Sequence, residues 1–438
     1  MYPYKKSSMR LAWALVIAVQ TAPTQAYQTS SQNDKLDSET LVQMALARNP
    51  DVESVISRID AYRHQVEVSD TLDDPKVSFG VAPAVLGSSG GGNGVLVEFQ
   101  QALPWPGVLD LRRKAALTDV RLWQQNLALS KIVLAREARA LHASWLYRKE
   151  LLELNSHHQS VWNDFIKISE SKYAGGTGAK SPVLQARQEL EMLRQERIEL
   201  EASLQRDVAS INRLLANDPD TDIALQPLSH VIDVTRPMYG AALANVDMQP
   251  GYRLIAAQVE RKAREFDLAR RDRYPSFSVM TKYNGIWNNP DQRWSVGVGV
   301  NLPLDFGKRT GRENRIRAEK RSLEWKQQDT ALILQERLAH AYSAWNEAQK
   351  KRALYQQDLI PLAEESLATA VDEYRSGAGN FLSLLVAERQ LLNTQRLNLK
   401  AEWSQRVQFA NLTASAGLIQ VRDWHELASQ RPLLPQGN

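Results

Sequence analysis

Four short stretches of the chain alternate between apolar residues and residues that are mostly polar or small. In the first stretch Val77, Phe79 and Val81 alternate with serine and glycine, and three later stretches follow the same rule. Alternation with a period of two is typical of a β-strand that has one apolar and one polar face. The turn-forming sequences GSSGGGNG and NNPDQ join the stretches in pairs. The pattern therefore predicts two β-hairpins, at residues 76–103 and 276–304.

The length of these strands suits a membrane. About ten residues at about 3.3 Å each span roughly 30 Å, and transmembrane β-strands combine that length with apolar side chains that face lipid. Aromatic residues near the strand ends match the two membrane interfaces, and these residues are Trp105, Tyr274, Trp287, Trp294 and Phe306. Two hairpins of a soluble sandwich, each with one solvated face, remain the alternative at this point.

A second pattern predicts very long helices. Residues 108–173 contain neither proline nor glycine, and Val120, Leu127, Leu134 and Leu141 fall seven residues apart. A seven-residue apolar repeat predicts helices that pack side by side as a coiled coil. About 65 residues at 1.5 Å each give a rod of roughly 100 Å. A second rod is predicted from Lys308 to about Arg375, interrupted only by Pro361, and both rods are too polar to enter lipid.

Each predicted rod ends in a glycine-rich segment that we call a tip. The first tip covers residues 174–181 and the second covers 375–381. Glycine permits the left-handed backbone that ends a helix. Ser181 is predicted to cap the next helix, with Pro182 at its first position. Each rod should therefore turn back on itself as an antiparallel helical hairpin.

The two halves of the chain repeat one another. Corresponding landmarks recur at an offset of 200 or 201 residues, as for Pro75 and Pro275, Gly107 and Gly307, or Tyr173 and Tyr374. Landmarks in one order at one offset predict two copies of a single unit. The predicted organisation is a first repeat at 27–216, an equatorial linker at 217–248, a second repeat at 249–419 and a loose C-terminal tail at 420–438.

The N-terminus predicts export. Lys5, Lys6 and Arg10 precede nine apolar residues, and small residues follow up to Ala26. This order is typical of a secretory signal peptide, so residues 1–26 are expected to be removed; an uncleaved anchor is the alternative. The chain has no cysteine, which excludes disulfides and a lipid on an N-terminal cysteine. A net charge of +4 without a basic block argues against nucleic-acid binding.

Four amphipathic strands cannot lie in a bilayer alone, because open sheet edges would leave backbone groups unpaired in hydrocarbon. Several copies must close the sheet. Two copies would form an eight-stranded barrel filled by side chains, so the small, polar inner face favours three or more. Each strand that leaves the membrane then continues into a helical tube. The predicted joint between strand and helix comprises Pro104, Trp105, Pro106 and Gly107 in the first half, and Pro303 and Gly307 in the second.

From about Leu36 to Leu418 the chain resembles the TolC-like outer membrane efflux family. The resemblance rests on the repeat, the two hairpins and the tip motifs YAGGTGAKSPVLQARQEL and YRSGAGNFLSLLVAERQL. The joint sequence QALPWPGVLDLRRKAA resembles members that serve heavy-metal efflux pumps. The fold class implied is mainly α with membrane β: a homotrimer with a twelve-stranded β-barrel in the outer membrane and a periplasmic α-helical tunnel.

The family also implies partners, namely a periplasmic adaptor protein and an inner-membrane pump of the RND type. In the family the helical tips contact the adaptor. The matching positions are Tyr173, Gly176, Thr177, Gly178 and Leu184 in the first tip, and Tyr374, Gly377, Gly379, Leu384 and Leu385 in the second. For each glycine, a purely structural role in the turn is the alternative.

The sequence departs from the family at the tunnel entrance. Some members narrow the entrance with a ring of aspartates just after the second tip, but the matching positions here are Ser383 and Val386. The nearest acidic residues are Glu388, Asp372 and Glu373. The gate residues of the family therefore do not transfer to this chain.

No catalytic or metal-binding motif accompanies these features. His157 and His158 are adjacent and do not have the i, i+4 spacing of a chelating pair on a helix. The arginine-rich helix starts at Arg112 and Arg309 are predicted to contact lipid headgroups or acidic neighbours, or to be simply solvated. We predict no enzyme, no cofactor and no metal site. The predicted function is a passive export duct in the outer membrane for substrates delivered by the pump and adaptor, with heavy-metal cations as the expected cargo. The alternatives are a periplasmic coiled-coil scaffold, or an outer membrane channel for drugs or type I secretion.

Overall fold

The computed structural model describes residues 36–82, 94–285 and 290–429. The predicted signal peptide, most of the first hairpin loop and Trp287 lie outside these residues. Within them the chain is mostly helical, with one β-sheet. None of the described helices is both long and apolar enough to cross a membrane.

The first half of the chain places a hairpin of strands before a hairpin of helices. Its elements are α1 (Ser38–Arg48), α2 (Pro50–Ser69), β1 (Lys76–Ala82), β2 (Gly94–Leu103), α3 (Val108–Ala174) and α4 (Ser181–Leu214). The predicted rod is confirmed as α3, which has 67 residues and is therefore about 100 Å long. Of the four predicted heptad residues, Val120 and Leu134 are buried, whereas Leu127 and Leu141 are partly buried.

The second half follows the same order after a short connecting helix. Its elements are α5 (Arg236–Ala244), α6 (Pro250–Arg271), β3 (Ser276–Asn284), β4 (Trp294–Asn301), α7 (Phe306–Leu354), α8 (Ile360–Ser376), α9 (Phe381–Ser415) and α10 (Asp423–Ser429). Residues 355–359 form a π-helical turn between α7 and α8. This turn lies just before Pro361, whose missing N–H prevents a regular α-helical hydrogen bond.

All four strands form one antiparallel sheet in the order β1-β2-β3-β4. Its centre is the pairing of β2 with β3, so strands from the two halves of the chain are neighbours. In the described chain β1 and β4 are the outer strands. The sheet therefore has two edges that no strand of the same described chain covers.

The helices pack around α3 and α9. The hairpin of α3 with α4 and that of α8 with α9 are confirmed, and α3 also packs directly against α9. Three apolar clusters hold these helices together: one near α1, one near the tips, and one where α5 and α10 meet α7 and α9.

The start of the predicted loose tail is packed instead. Trp424 in α10 is fully buried, and its indole Nε1–H donates to Thr413 Oγ1 at 3.1 Å. A buried tryptophan contributes a large apolar area, which fixes α10 against the helical body. The prediction of a loose tail is therefore wrong for the residues up to 429.

Candidate functional sites at the tips, the sheet and the joint

The first tip is closed by backbone hydrogen bonds that require glycine. Gly176 has φ +72°, and the Thr177 N–H donates to the Lys172 carbonyl at 3.0 Å. A Cβ at Gly178 would lie 3.0 Å from the Lys172 side chain, although this glycine has no left-handed φ. Gly176 thus supplies the turn and Gly178 permits the close approach. The predicted Ser181 cap is wrong, because α4 begins at Ser181 and follows Lys180 without a side-chain cap.

The second tip has the same design with a better cap. Gly377 has φ +85°, and a Cβ at Gly379 would lie 2.8 Å from the Glu373 Cβ. The Gly379 N–H donates to the Glu373 carbonyl at 2.9 Å. Asn380 then caps α9, because its side chain accepts from the Ser383 N–H at 2.8 Å.

The tip residues taken from the family divide into exposed and buried groups. Tyr173 and Leu184 of the first tip are about half exposed. Tyr374, Leu384 and Leu385 of the second tip are 8%, 1% and 6% exposed, respectively, and pack in the tip cluster with Trp162 and Phe165. Their side chains are therefore not available as contacts for a docked partner, which corrects the sequence prediction. Leu385 and Leu392 are spaced seven residues apart, which is typical of core positions in packed helices.

The exposed apolar side chains beside the second tip were not among the contact residues predicted from the family resemblance. Leu382 and Val386 are 63% and 57% exposed, and Leu362 on α8 is 62% exposed. They line an open groove of about 830 Å³ between α8 and α9, together with Ser383 and the acidic Glu365 and Glu373. Ser383 and Val386, the positions matched to the tunnel entrance from the sequence, thus face this groove.

Polar contacts join the two helical hairpins near the tips. Ser169 Oγ on α3 lies 3.4 Å from Tyr374 Oη on α8, and the Lys172 ammonium lies 4.9 Å from the centre of the Tyr374 ring. Deeper in the bundle, His158 Nδ1 lies 2.5 Å from Glu388 Oε1, and both side chains are buried. His157, by contrast, is exposed.

Two ion pairs connect α4 with α9 at positions 200 residues apart. The guanidinium groups of Arg389 and Arg396 donate to Glu189 and Glu196, respectively. The hydrogen bond to Glu189 raises the pKa of Arg389 above its ordinary value. Spaced seven residues apart, the two pairs link helices from the two halves of the chain.

Most directly opposed pairs of the sheet are apolar on one face and polar or small on the other, although a few pairs are mixed, such as Gln101 with Val279 and Leu96 with Asn284. Val77 faces Phe99, Phe79 faces Val97, and Val279 faces Val298 on one side. Glu98 faces Lys282 on the other side. The apolar face is exposed, with Phe79 at 76% and Val296 at 77%. So large an exposed apolar surface is typical of a surface covered by lipid or protein.

The first joint changes the direction of the chain at a glycine. Gly107 has φ +85° and precedes α3, and the Val108 N–H donates to the Trp105 carbonyl at 3.1 Å. The Trp105 ring stacks on Tyr274 with ring centres 5.0 Å apart. The glycine permits the sharp change of direction from strand to helix.

The second joint differs. Gly307 lies inside α7 and has no positive φ, so its predicted role as a turn residue is wrong. Asp305 caps this helix instead, accepting from the Lys308 N–H at 3.0 Å. Sequence alignment of the two halves placed the glycines together, but each joint ends its strand by a different local device.

The arginine-rich helix starts contact acidic neighbours. Arg112 and Arg113 each lie 3.5 Å from an aspartate of the segment after α2, and Arg312 lies 2.6 Å from Asp272. Of the three possibilities left open by the sequence, ion pairing is the one found for these residues. No group of three or more metal-ligating side chains occurs in the described parts of the chain.

These features define a class of protein: long helical hairpins joined to an amphipathic sheet whose apolar face is exposed. The sequence profile of the outer membrane efflux protein family matches residues 41–217 and 251–418. The chain belongs to this family, and it is an outer membrane efflux channel of a Gram-negative bacterium that extends into the periplasm.

Individual relatives agree with this assignment. The chain is 22% identical over 424 residues to the toluene efflux pump outer membrane protein TtgF of Pseudomonas putida, covering 90% of this chain and 85% of TtgF. The outer membrane channel CmeC of Campylobacter jejuni has a similar structure, with a TM-score of 0.72 at 14% identity over 97% of this chain and 98% of CmeC. The outer membrane protein VceC of Vibrio cholerae matches with a TM-score of 0.72 at 17% identity, covering 87% of this chain and 97% of VceC.

Proposed function

We propose that three copies of the chain close a twelve-stranded β-barrel in the outer membrane and form a passive exit duct. The observation that carries this proposal is the four-stranded sheet with one exposed apolar face and two uncovered edges. Uncovered edges within a bilayer need partner strands. Two copies would give a barrel filled by its own side chains, whereas three give twelve strands around an open lumen.

The polar face of the sheet is suited to line this lumen. It carries small residues such as Gly297 and Gly299 opposite Met280 and Ser278, with the charged pair Glu98 and Lys282 further along β2 and β3. A wide, polar lumen favours diffusion of hydrated solutes over tight binding. The energy for export would then come from a pump, and the duct would supply only the path.

The helical tips are the proposed docking site for a periplasmic adaptor that connects the duct to an inner-membrane pump of the RND type. The exposed side chains best placed for this contact are Tyr173, Thr177 and Leu184 of the first tip, and Leu382 and Val386 beside the second. Apolar residues in an open groove are typical of a site that receives helices of another protein. Gly176, Gly178, Gly377 and Gly379 would then shape the tips rather than contact the adaptor through side chains.

Two cargo classes are supported by different observations. The joint sequence QALPWPGVLDLRRKAA resembles members that serve heavy-metal pumps, which favours metal cations. The relative TtgF is named for toluene efflux, which favours organic solutes. Deleting the gene for this protein in its host and measuring growth with copper or zinc salts and, separately, with toluene would distinguish the two cargo classes. Sensitivity restricted to metals supports the first class, and sensitivity restricted to toluene supports the second.

Opening of the duct is proposed to need movement of the tips. The chain has no cysteine, so a pair introduced at Thr177 and Ala378 would be the only thiols. Joining this pair with a cleavable thiol cross-linker should stop export, and reduction should restore it. Each single-cysteine variant, treated in the same way, is the matched control. Export that continues at full rate in the cross-linked protein would contradict gating by the tips.

A further inference from the structure

A continuous series of rings connects the apolar face of the sheet to a cation. Phe277 lies on the apolar face of β3, because it is paired with Val300 of β4 and Leu103 of β2. The Trp105 ring stacks on Phe277 at 5.9 Å and on Tyr274 at 5.0 Å between ring centres. The Arg271 guanidinium then lies 5.5 Å from the centre of the Tyr274 ring. Arg271 therefore stands just beyond the aromatic residues at the helical end of the sheet.

Arg271 differs from its basic neighbours in its partners. Arg112 and Arg312 have carboxylate partners, and the Arg309 side chain donates to the carbonyls of Asp272 and Asp305. Among the described residues, Arg271 and Lys308 form no ion pair. Both remain available to an anion from outside the chain.

These two cations share a cavity. A cleft of about 600 Å³ lies at the joint, and it is lined by Trp105, Tyr274, Arg271 and Lys308 among others. Five cationic side chains and two carboxylates line it in total, so its potential is positive. Leu304, at its edge, is 78% exposed. The cleft thus combines an excess of positive charge with aromatic and apolar walls.

We propose that this cleft binds the phosphate group of a membrane phospholipid through Arg271 and Lys308. An arginine fork and a lysine ammonium suit phosphate oxygens. The cleft adjoins the apolar face through Trp105 and Phe277, so a bound phosphate would have its acyl chains beside that face. This continuity favours a lipid over free phosphate. Because positive charge is in excess, an anionic headgroup should bind better than a zwitterionic one.

The inference rests on the proposed function in one respect: the sheet must lie in a bilayer. The site would then hold lipids of the leaflet nearest the helices at a fixed depth. It would hold the barrel at a fixed depth in the membrane. Aromatic rings at the interface also favour that depth, but they do not bind a particular lipid headgroup.

Native mass spectrometry of the full detergent-purified chain provides the test. The probes are phosphatidylglycerol, phosphatidylcholine and inorganic phosphate. The wild type should retain phosphatidylglycerol in preference to phosphatidylcholine, and the double variant Arg271→Ala/Lys308→Ala should bind it about tenfold more weakly or worse. Arg337→Ala, an exposed position about 40 Å further along α7, should bind as the wild type does.

Three results would overturn the site. They are equal retention of the two lipids by the wild type, unchanged retention by the double variant, and displacement of phosphatidylglycerol by an equal concentration of inorganic phosphate, which would indicate a free-anion site. Conductance of the same samples in planar bilayers separates this failure from failure of the duct. A protein that conducts without lipid preference retains the duct and loses the site, whereas a protein that never inserts loses both.

Discussion

His158 and Glu388 form a buried pair between helices of the two halves of the chain. The imidazole Nδ1 lies 2.5 Å from Glu388 Oε1, and the side chains are 1% and 0% exposed. The ring Nε2 lies 2.7 Å from Gln395 Oε1, whereas Glu388 Oε2 has no partner in the described residues. Since the pair connects α3 with α9 above the tips, it should contribute to holding the two helical hairpins together.

Removing one side chain of this buried pair should lower the stability of the folded protein. Glu388→Ala leaves a buried imidazole without its hydrogen-bond partner, and leaving a buried polar group unpaired typically costs about 1–3 kcal/mol. The midpoint of thermal unfolding of the purified protein should fall clearly. The control is Glu191→Ala, which breaks an exposed i, i+3 pair with Arg194 and should cost about 1 kcal/mol or less.

The double variant His158→Leu/Glu388→Leu tests the same idea from the other side. Replacing both partners with apolar residues removes the unpaired group and should recover much of the loss. Equal midpoints for Glu388→Ala and Glu191→Ala would show that the buried pair contributes nothing special.

Alanine should have opposite effects on stability at a glycine with a left-handed backbone and at a glycine inside a helix. Gly377→Ala forces a side chain into φ +85°, at about 1–2 kcal/mol, and should speed hydrogen exchange around the second tip. Gly311→Ala lies within α7, where nothing is within 4 Å of a new Cβ, and should stabilise the helix by about 1 kcal/mol. Hydrogen exchange and thermal unfolding of both variants check the prediction, and destabilisation of equal size would refute it.

His142 should make stability depend on pH. Burial lowers the pKa of His142 below its ordinary value of 6.5, because a protonated ring would lose its hydration at this fully buried position. The ring Nε2 lies 2.9 Å from the Gln226 carbonyl oxygen. The unfolded chain then binds the extra proton first, so this contribution is complete above about pH 6.5 and is lost as the pH falls.

His142→Gln should therefore reduce the loss of thermal stability between about pH 8 and about pH 5.5. His64→Gln is the control, because the His64 side chain is 76% exposed and should leave the pH dependence unchanged. A variant of His142 with the full wild-type pH dependence would assign it to other groups.

Charges on the polar face of the sheet should set the ion preference of the lumen. Glu98 and Lys282 are directly opposed on β2 and β3. Lys282→Glu should shift the reversal potential in a salt gradient toward cation selectivity, and Glu98→Lys should shift it the other way. Reversal potentials that stay the same in both variants would mean that this face does not line the conducting path.

Local patterns predicted the elements well, and distant contacts could not be predicted. Period-two alternation located all four strands of the described residues, because the side chains of a half-buried strand alternate between its two faces. No local sequence pattern predicts the contact of His158 with Glu388, which lie 230 residues apart. No local pattern predicts the burial of Trp424 either. Gly307 shows the limit of matching the two halves. It aligns with Gly107 in sequence, but the side chain of Asp305 caps the helix at the second joint.

The central claim, a trimeric duct through the outer membrane, is tested most directly by planar-bilayer conductance of the purified protein with its mass measured on the same sample. The account predicts a heat-sensitive species of three chains that gives discrete conductance steps. A species that remains soluble without detergent and never inserts would contradict it, and the apolar face of the sheet would then be covered by protein rather than lipid.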